Sequence, residues 1–328
     1  MQAGQASPVI VVPDDFPSVF DGTPAHARAK KLGEVKVVTA AGANQEDELI
    51  RRIDRARIAI NIRAHAHFTE GVFAACRHLK MVSIWGTGTD NIDLAAAGRH
   101  GVTVCNTPGV NARAVAEHAL ALMLATSRKI PHIDREMREG KWPREMLTQL
   151  LGKTLGVFGI GGIGARVAEL GRAVGMSVVA WSLQNDTKRI EAMGARAASK
   201  DEILREADVV SLNLRLIPET RGFLGRKEFS LMKKTAILIN TARGALVDRE
   251  ALVDALRKGQ IAGAGLDVFH DEPLKAGDPL LALDNVVLSP HHAGQTPEVI
   301  RDGLLRAVEN IENYLGGKPT DVVVAPVR

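Results

Sequence analysis

Residues 156–164 read Gly-Val-Phe-Gly-Ile-Gly-Gly-Ile-Gly, in which Gly159, Gly161 and Gly164 fit the pattern G-x-G-x-x-G. The apolar run at 155–158 has the length of a buried strand, and apolar side chains recur at helical spacing after the glycines. Such a turn needs glycine for the tight bend, for the close approach of a pyrophosphate and for packing of helix against strand. The helix N-terminus would then offer free N–H groups and its positive dipole end to phosphates. We interpret the stretch as a dinucleotide-binding turn; the alternative is a glycine-rich turn that packs a helix and binds nothing.

The rest of the chain alternates strand-like apolar runs with helix-length segments, which predicts parallel sheets. Before the glycine turn these runs lie at 9–12, 35–38, 58–62, 81–84 and 102–104. After it they lie at 178–181, 209–212, 236–239, 265–268 and 286–289. We also expect a long apolar helix over 112–130 and an amphipathic helix over 297–315 that ends at two glycines. The pattern predicts an α/β protein with two doubly wound parallel-sheet units.

The order of these elements also predicts where each unit begins. The second doubly wound unit spans 113–294 and contains the glycine turn. Because this unit already has a full set of strands, we expect the closing helix to return to the first unit. The first unit would then consist of 1–112 and 295–328.

Composition and charge argue against several classes of protein. The 328 residues suffice for two domains, and 45% hydrophobic with 24% charged residues is typical of soluble α/β proteins. Basic residues are scattered among acidic ones and give a net charge of only +4, so we expect neither a nucleic-acid nor a membrane partner. Residues 1–7 show no leader pattern, and the apolar run at 119–125 is too short to span a bilayer. Cys76 and Cys105 have neither disulfide-framework nor metal-site spacing, which indicates no metal and a cytoplasmic location.

Three polar residues follow predicted strands, which is where doubly wound folds bind their ligands. They are Arg243, Glu272 and His291. Reduction of a 2-oxo acid needs a cation that holds the carboxylate and polarises the carbonyl, and a guanidinium does both. It also needs a proton donor, which an imidazole with an ordinary pKa of about 6.5 supplies, and a carboxylate that orients this imidazole. The three residues and the glycine turn together predict such a site.

Taken singly, each of the three residues has a simpler interpretation. Arg243 fits an ordinary surface or helix-capping cation, and Glu272 fits a solvated loop carboxylate before a proline. His291 and His292 are adjacent, so at most one of them is expected to face a given cleft. The prediction therefore depends on the coincidence of all three with the upstream glycine turn.

Four longer segments extend the pattern over nearly the whole chain. They are NTPGVNARAVAEHALALM at 106–123, NTARGALVDREALVDAL at 240–256, GLDVFHDEP at 265–273 and SPHHAGQT at 289–296. With these segments the sequence resembles the D-isomer-specific 2-hydroxyacid dehydrogenases. The resemblance implies a Rossmann nucleotide-binding domain inserted in a flavodoxin-like substrate domain, an active site in the cleft, and a homodimer.

The resemblance also implies roles for individual residues. Arg243 would orient the substrate, His291 would be the catalytic histidine, and Glu272 would pair with it. Asp267 would hold the carboxamide of the nicotinamide. The full set of expected cofactor contacts is Gly159, Gly161, Gly162, Ile163, Gly164, Ser182, Thr241, Ala242, Asp267 and Gly294.

On the substrate side, the resemblance implies a loop after the fourth strand that contains Thr87 and Gly88. Backbone N–H groups of this loop would hold the carboxylate of the substrate, and Arg63 would lie on the same side. There are simpler alternatives for these positions too. Asp90 and Asp93 in the loop fit helix caps, and Arg63 fits the end of a strand in solvent.

The strand at 178–181 departs from the family pattern. An acidic residue that binds the ribose hydroxyls of NAD is expected at its end, but Ser182 stands there. Without a carboxylate nothing repels a 2′-phosphate, yet an NADP site would place an arginine directly after the strand, and here Lys188 and Arg189 come only later. We expect either cofactor to bind, NAD slightly better than NADP.

The leading hypothesis is an NAD(P)-dependent D-2-hydroxyacid dehydrogenase. Its substrate would be a small 2-oxo or 2-hydroxy acid of the glyoxylate, hydroxypyruvate, 3-phosphoglycerate or lactate type. The alternative is a dinucleotide-sensing, corepressor-like scaffold without turnover, although the complete set of arginine, glutamate and histidine favours chemistry. A formate dehydrogenase would carry glutamine where Glu272 stands. Trp142 lies in a loop that would either pack on the long helix or reach a neighbouring subunit.

Overall fold

The computed structural model describes residues 7–63, 65–184 and 186–327. Residues 1–6, part of the stretch without a leader pattern, lie outside the described residues, as do residues 64, 185 and 328. The chain forms two compact units, Met1–Asn111 with Thr296–Arg328, and Ala112–Gln295. Each unit is built on a parallel sheet with helices, which confirms the predicted fold class.

The first unit contains a six-stranded sheet in the order β13-β5-β4-β3-β1-β2. Strands β1 to β5 pair in parallel in a flavodoxin-like order, and β13 adds an antiparallel edge. Helix α12 packs against β4 and α1, so the closing helix belongs to this unit. The strands are β1 (Val9–Val12), β2 (Glu34–Val37), β3 (Ile58–Ile62), β4 (Met81–Trp85), β5 (Thr103–Cys105) and β13 (Val322–Val324). The helices are α1 (Pro24–Ala29), α2 (Glu46–Ile53), α3 (Glu70–Ala75), α4 (Leu94–Arg99) and α12 (Pro297–Leu315).

The second unit contains a seven-stranded parallel sheet in the order β12-β11-β10-β9-β6-β7-β8. Its six strands β8-β7-β6-β9-β10-β11 follow the Rossmann order, and β12 extends it. The strands are β6 (Thr154–Phe158), β7 (Ser177–Trp181), β8 (Arg196–Ala197), β9 (Val209–Leu212), β10 (Ile237–Asn240), β11 (Gly263–Leu266) and β12 (Val286–Leu288). The helices are α5 (Ala112–Ser127), α6 (Ile130–Arg138), α7 (Gly162–Ala173), α8 (Thr187–Ala192), α9 (Lys200–Glu206), α10 (Arg226–Leu231) and α11 (Arg249–Arg257), with short 3₁₀ turns at Pro218–Thr220, Gly244–Leu246 and Pro279–Ala282. Among the described residues, no helix of either unit is both long and apolar enough to cross a bilayer.

Local sequence signals explain why these elements form. Every residue of β3 and β4 is buried, as expected for parallel strands that helices cover on both faces. The hydroxyl of Thr296 accepts the N–H of Val299 at the start of α12, and Pro297 fills the first helical position, where its missing N–H costs nothing. Strands and helices built in this way bring the carboxyl ends of parallel strands to one edge of each sheet, where the loops with the predicted site residues begin.

The long helix expected over 112–130 ends three residues early, and a separate helix follows it. Helix α5 ends at Ser127, Lys129 adopts a left-handed backbone with φ of +49°, and α6 begins at Ile130. Pro131 gives the physical reason. In a continuous helix it would remove one backbone hydrogen bond, and its ring would clash with the carbonyl of Ser127.

The strand expected over 265–268 lies two residues earlier, in β11 (Gly263–Leu266). Its first residues are small because the helix α5 packs directly on it. A Cβ on Gly265 would lie 2.9 Å from Cβ of Leu122, and one on Gly263 would lie 2.6 Å from the carbonyl oxygen of Asn285. The strands β8 and β13 were not predicted.

Candidate functional site

The glycine turn lies between β6 and α7, and its glycines serve different steric purposes. Gly159 has φ of +96°, and a Cβ there would lie 2.5 Å from the carbonyl oxygen of Asn213. A Cβ on Gly164 would lie 1.9 Å from the carbonyl oxygen of Gly159. A Cβ on Gly161, by contrast, would meet no atom within 4 Å. The turn itself requires the first and third glycines, whereas the second leaves open space beside the helix.

This open space fits a pyrophosphate. Gly161 is the N-cap residue of α7 and makes no side-chain capping hydrogen bond, so no capping side chain occupies the N–H groups of the first turn. Gly162 and Ile163 begin that turn. The positive end of the helix dipole, about half an elementary charge, lies at the same place. The residues present therefore fit the phosphates of a dinucleotide.

Ser182 directly follows β7, where the acidic residue was expected. Its side chain is buried, and its hydroxyl accepts the backbone N–H of Asp186 at 3.0 Å. Asp186 in turn caps α8 by accepting the N–H of Arg189 at 3.1 Å, and Asn185 lies outside the described residues. Ser182 thus shapes the turn before α8 and offers no charge to a ribose hydroxyl or a 2′-phosphate.

Arg243 lies in the loop after β10, directly after Thr241 and Ala242. Asn240 ends β10 and fixes the loop with its side-chain amide, because Nδ2 donates to the carbonyl of Arg243 at 2.9 Å and Oδ1 accepts the N–H of Ala242 at 3.0 Å. Thr241 is buried, whereas Ala242 and Arg243 are half-buried. The strand therefore ends in a fixed turn that carries three of the predicted residues.

Glu272 and His291 are in direct contact. Oε2 of Glu272 lies 2.6 Å from Nδ1 of His291, and Oε1 accepts the N–H of Phe269 at 2.9 Å. A Cβ on Gly244 would lie 2.1 Å from the carbonyl carbon of Phe269, so the loop of Arg243 packs directly on this one. Burial raises the pKa of Glu272, but the hydrogen bond and charge of His291 and, more weakly, the charge of Arg243 bring that pKa below its ordinary value. Glu272 is therefore an ionised carboxylate beside the imidazole at neutral pH.

His291 has one ring nitrogen available for a ligand. Because Nδ1 donates to the carboxylate of Glu272, Nε2 is the nitrogen that can exchange a proton. Nε2 has no hydrogen-bond partner among the described residues, and 46% of the side chain is exposed. The backbone of His291 has φ of +50°, a left-handed conformation that is uncommon for residues other than glycine. Such conformations persist where the surrounding structure enforces them, and they cluster at functional sites.

The buried carboxylate of Asp267 enforces this backbone. Oδ1 accepts the hydroxyl of Ser289 at 2.6 Å and the N–H of His292 at 3.1 Å, and Oδ2 accepts the N–H of Ala293 at 3.0 Å. The main-chain carbonyl of Asp267 also accepts the N–H of His291 at 2.8 Å. Asp267 was predicted only as a nicotinamide ligand, and it also holds the loop that carries His291.

Sequence reasoning missed two members of this network, Ser289 and His118. Nε2 of His118, on α5, lies 2.8 Å from the hydroxyl of Ser289 and 3.5 Å from Oδ1 of Asp267. Burial lowers the pKa of His118 although the charge of Asp267 raises it, so the ring is neutral at pH 7. The ring of His118 also contacts the ring of His292 edge-on, with 5.3 Å between the ring centres. Gly294, one of the predicted cofactor contacts, lies half-buried farther along the same loop.

Arg63 belongs to the first unit and directly follows β3. Its guanidinium stands 5.8 Å from the ring centre of Trp85, and Nη1 donates to the carbonyl of Phe16 at 3.2 Å. Nε and Nη2 are buried without a hydrogen-bond partner among the described residues. Burial lowers the pKa of Arg63, while the charges of Asp15 and Asp14 oppose this shift. The side chain is therefore not an ordinary strand end in solvent, since it presents buried donors that an anion would satisfy.

The loop after β4 contains Thr87 and Gly88, both half-buried. Nδ2 of Asn106 donates to the carbonyl of Thr87 at 2.9 Å. The hydroxyl of Thr107 accepts the N–H of Gly86, the residue before Thr87, at 2.8 Å. The loop is thus tied to the segment after β5. Beyond the loop, Asp93 caps α4, because its carboxylate accepts the N–H of Ala96 at 2.8 Å. The interpretation of Asp93 as a helix cap is therefore confirmed.

Within the part of the chain that the structure describes, one group of potential metal ligands lies away from these loops. It consists of His132, Glu136 and Glu145, whose ligand atoms lie within 4.8 Å of one another. Glu136 pairs with Lys141 at 3.3 Å, Glu145 pairs with Lys129, and Nε2 of His132 lies 2.9 Å from Glu145. The lysines balance the carboxylates, so this group is a network of ion pairs, and we assign no metal to it.

Comparison with known proteins shows what this chain is similar to. Residues 120–293 match the family model described as D-isomer specific 2-hydroxyacid dehydrogenase, NAD binding domain. A glyoxylate reductase of Aeropyrum pernix is 46% identical over 249 residues, which cover 73% of this chain and 74% of the reductase. A D-3-phosphoglycerate dehydrogenase of Archaeoglobus fulgidus is 41% identical over 288 residues, which cover 87% of this chain and 54% of the dehydrogenase. The chain spans about half the length of the phosphoglycerate dehydrogenases that it matches.

The likeness extends to solved structures. The TT0316 protein from Thermus thermophilus matches with a TM-score of 0.86 and 37% sequence identity, over 96% of this chain and 99% of that chain. Similarity in sequence and in fold therefore reaches well beyond the glycine turn.

Proposed function

Because this chain belongs to the D-isomer specific 2-hydroxyacid dehydrogenase family, we propose that it is an NAD-dependent enzyme that interconverts a small D-2-hydroxy acid and its 2-oxo acid. The observation that carries the proposal is the contact between His291 and the ionised Glu272, in the same unit as Arg243 and the glycine turn. Acid–base transfer at a carbonyl needs an imidazole with one available nitrogen, a carboxylate that orients the ring and a nearby cation.

The glycine turn is the proposed binding site for the phosphates of the cofactor. The N–H groups of Gly162 and Ile163 would meet its phosphates, since Gly159 and Gly164 shape the bend and Gly161 leaves room. When bound, NADH supplies the hydride and NAD accepts it. We propose that residues in the loops after β10, β11 and β12 contact the nicotinamide end of the cofactor. These residues are Thr241, Ala242, Asp267 and Gly294.

His291 would handle the proton of the reaction. In the direction of reduction, Nε2 gives a proton to the carbonyl oxygen of the 2-oxo acid, and the carboxylate of Glu272 stabilises the ring while it is charged. In the reverse direction, Nε2 takes the proton of the 2-hydroxyl group. Arg243 would hold the substrate carboxylate with its planar fork and polarise the carbonyl, because the guanidinium stays charged throughout.

Residues of the first unit are proposed as further ligands of the substrate carboxylate. Arg63 supports this role because its buried Nε and Nη2 have no hydrogen-bond partner among the described residues. Thr87 and Gly88 support it through a loop whose backbone Asn106 and Thr107 hold in place.

The substrate class we propose is a small acid of the glyoxylate, hydroxypyruvate or 3-phosphoglycerate type. Relatives named glyoxylate reductase and D-3-phosphoglycerate dehydrogenase support this range. The alternative of a dinucleotide-sensing scaffold has no support among these relatives, and Glu272 argues against a formate dehydrogenase.

A panel of 2-oxo acids assayed with NADH and with NADPH tests the proposal. We expect turnover with glyoxylate, hydroxypyruvate or phosphohydroxypyruvate, and a kcat/KM with NADH at least equal to that with NADPH, because Ser182 offers no cation to a 2′-phosphate. A preference for NADPH of about a hundredfold, or about 2.7 kcal/mol, would contradict the choice of NAD. Binding of NADH without turnover of any acid in the panel would favour the scaffold.

We also propose a cytoplasmic homodimer. The helix α6 has no buried residue, and the loop after it exposes Trp142 by 73% and Met146 by 93%, so Trp142 does not pack on α5. Exposed apolar patches of this kind mark interaction surfaces. The free, buried Cys76 and Cys105 fit a reducing compartment. Sedimentation velocity should give twice the 35.2 kDa mass of the chain, and a single-chain mass at micromolar concentration would contradict the dimer.

A further inference from the structure

Basic side chains line a depression of about 540 Å³ at the amino-terminal edge of the sheet in the first unit. Arg55 and Arg57 precede β3, and Arg77 and Lys80 precede β4. The backbone fixes this arrangement, because the carbonyl of Arg57 accepts the N–H of Lys80 at 2.8 Å and the N–H of Arg57 donates to Val9 at 2.9 Å. Adjacent parallel strands thus bring four cations from two loops to one place.

These four cations have no countercharge of their own. Among the residues that the structure describes, none of Arg55, Arg57, Arg77 and Lys80 has a side-chain hydrogen bond or an ion pair, and no acidic residue lines the depression. Nε of Arg57 is buried without a partner. By contrast, Arg51 on the nearby α2 pairs with a carboxylate in the usual way.

Helix dipoles offset only part of the positive charge of these four side chains. Helices α2 and α3 end just before the two basic segments, and each C-terminus contributes about half a negative charge. Even when the exposed carboxylate of Asp54 is added, these groups offset about two of the four positive charges. A surplus of about two positive charges remains, which matches the charge of a phosphate ester at neutral pH.

We propose that this depression binds a small phosphorylated molecule, with its phosphate held by Arg57 and Lys80 and flanked by Arg55 and Arg77. Tyr314 also lines the depression. Burial raises the pKa of Tyr314 although the charge of Arg57 lowers it, so the phenol keeps its proton and can donate a hydrogen bond. The site lies at the opposite edge of the sheet from Arg63, which follows the carboxyl end of β3. It is therefore independent of the proposed dehydrogenase activity.

Calorimetric titration of the full chain with inorganic pyrophosphate, in the presence of excess NADH, tests the proposal. NADH keeps pyrophosphate away from the glycine turn. We expect pyrophosphate to bind the unmodified chain, and to bind Arg57→Gln/Lys80→Gln at least about tenfold more weakly, because this variant loses two charge-assisted hydrogen bonds to the phosphate. The variant Arg55→Gln/Arg77→Gln, in which both replaced residues are exposed, should also weaken binding. It provides the test if the variant of the half-buried Arg57 and Lys80 does not fold.

The matched control is Lys30→Gln/Lys31→Gln, which removes the same charge from an exposed part of the same unit. Its affinity for pyrophosphate should stay within about twofold of the unmodified chain. Absence of pyrophosphate binding, or equal weakening in the control pair, would overturn the proposal. So would binding of single-stranded RNA, or of mixed phosphatidylcholine and phosphatidic acid vesicles, through these arginines without any binding of pyrophosphate.

Discussion

Replacement of His291 by asparagine is expected to lower kcat for reduction of a 2-oxo acid by about 10²–10⁴-fold, equivalent to about 3–5 kcal/mol. The amide of asparagine cannot deliver a proton at neutral pH, so the general-acid contribution is lost. Asparagine is the informative choice because it tolerates the left-handed backbone of His291, with φ of +50°. Affinity for NADH, measured by fluorescence titration, should change by less than about threefold, because the variant leaves the glycine turn intact.

The matched control for this variant is His292→Gln, in the neighbouring position. The side chain of His292 contacts the ring of His118, whereas its bond to Asp267 comes from the backbone N–H and survives the substitution. We expect less than about a tenfold loss of kcat in this control. Retention of turnover within about tenfold in His291→Asn, or equal losses in both variants, would show that the imidazole of His291 is not the acid.

Local signals were sufficient wherever an element is specified by its own residues. The closing helix α12 has its predicted bounds because Thr296 caps it, Pro297 suits its first position and two glycines follow it. The strand β3 was equally clear, since a short run of four apolar residues and one asparagine has the length and composition of a covered parallel strand. These elements required no knowledge of what packs against them.

Elements that depend on a distant partner could not be read in the same way. The strand β11 begins with Gly263, Ala264 and Gly265, which have low strand propensity and are small because α5 lies on them. The antiparallel strand β13 exists only through its pairing with β5. The end of α5 is different, because the predicted helix stopped at 130, just before Pro131, and α5 ends three residues earlier, at Ser127.

The same distinction applies to the candidate site. Arg243, Glu272 and His291 could be proposed from the sequence because each follows a parallel strand, and such strands end at one edge. The residues that hold these side chains in place could not be predicted from the sequence. His118 and Ser289 are 171 positions apart and meet only because α5 packs beneath the sheet edge. The left-handed backbone of His291 is likewise a consequence of Asp267, whose hydrogen bonds fix three consecutive residues.

Two alanine substitutions in the glycine turn are expected to separate cofactor binding from folding. Gly164→Ala places a Cβ 1.9 Å from the carbonyl oxygen of Gly159, a backbone atom that cannot move aside. Overpacking of this kind costs about 1–3 kcal/mol or more, which corresponds to a fall in Tm of at least about 2–4 °C. Loss of the turn should also weaken NADH binding, so this variant alone cannot distinguish a binding site from a packing turn.

Gly161→Ala makes that distinction. Its Cβ would meet no atom within 4 Å and its φ of −69° suits alanine, so the fold should lose no more than about 1 kcal/mol through the poorer N-cap. The added methyl group would fill the space assigned to the pyrophosphate, and we expect NADH affinity to fall by about ten- to a hundredfold, or about 1.4–2.7 kcal/mol. Thermal melts and NADH titrations of both variants provide the comparison. If Gly161→Ala binds NADH as tightly as the unmodified chain, the open space beside α7 holds no pyrophosphate, and the glycines serve only to pack a helix.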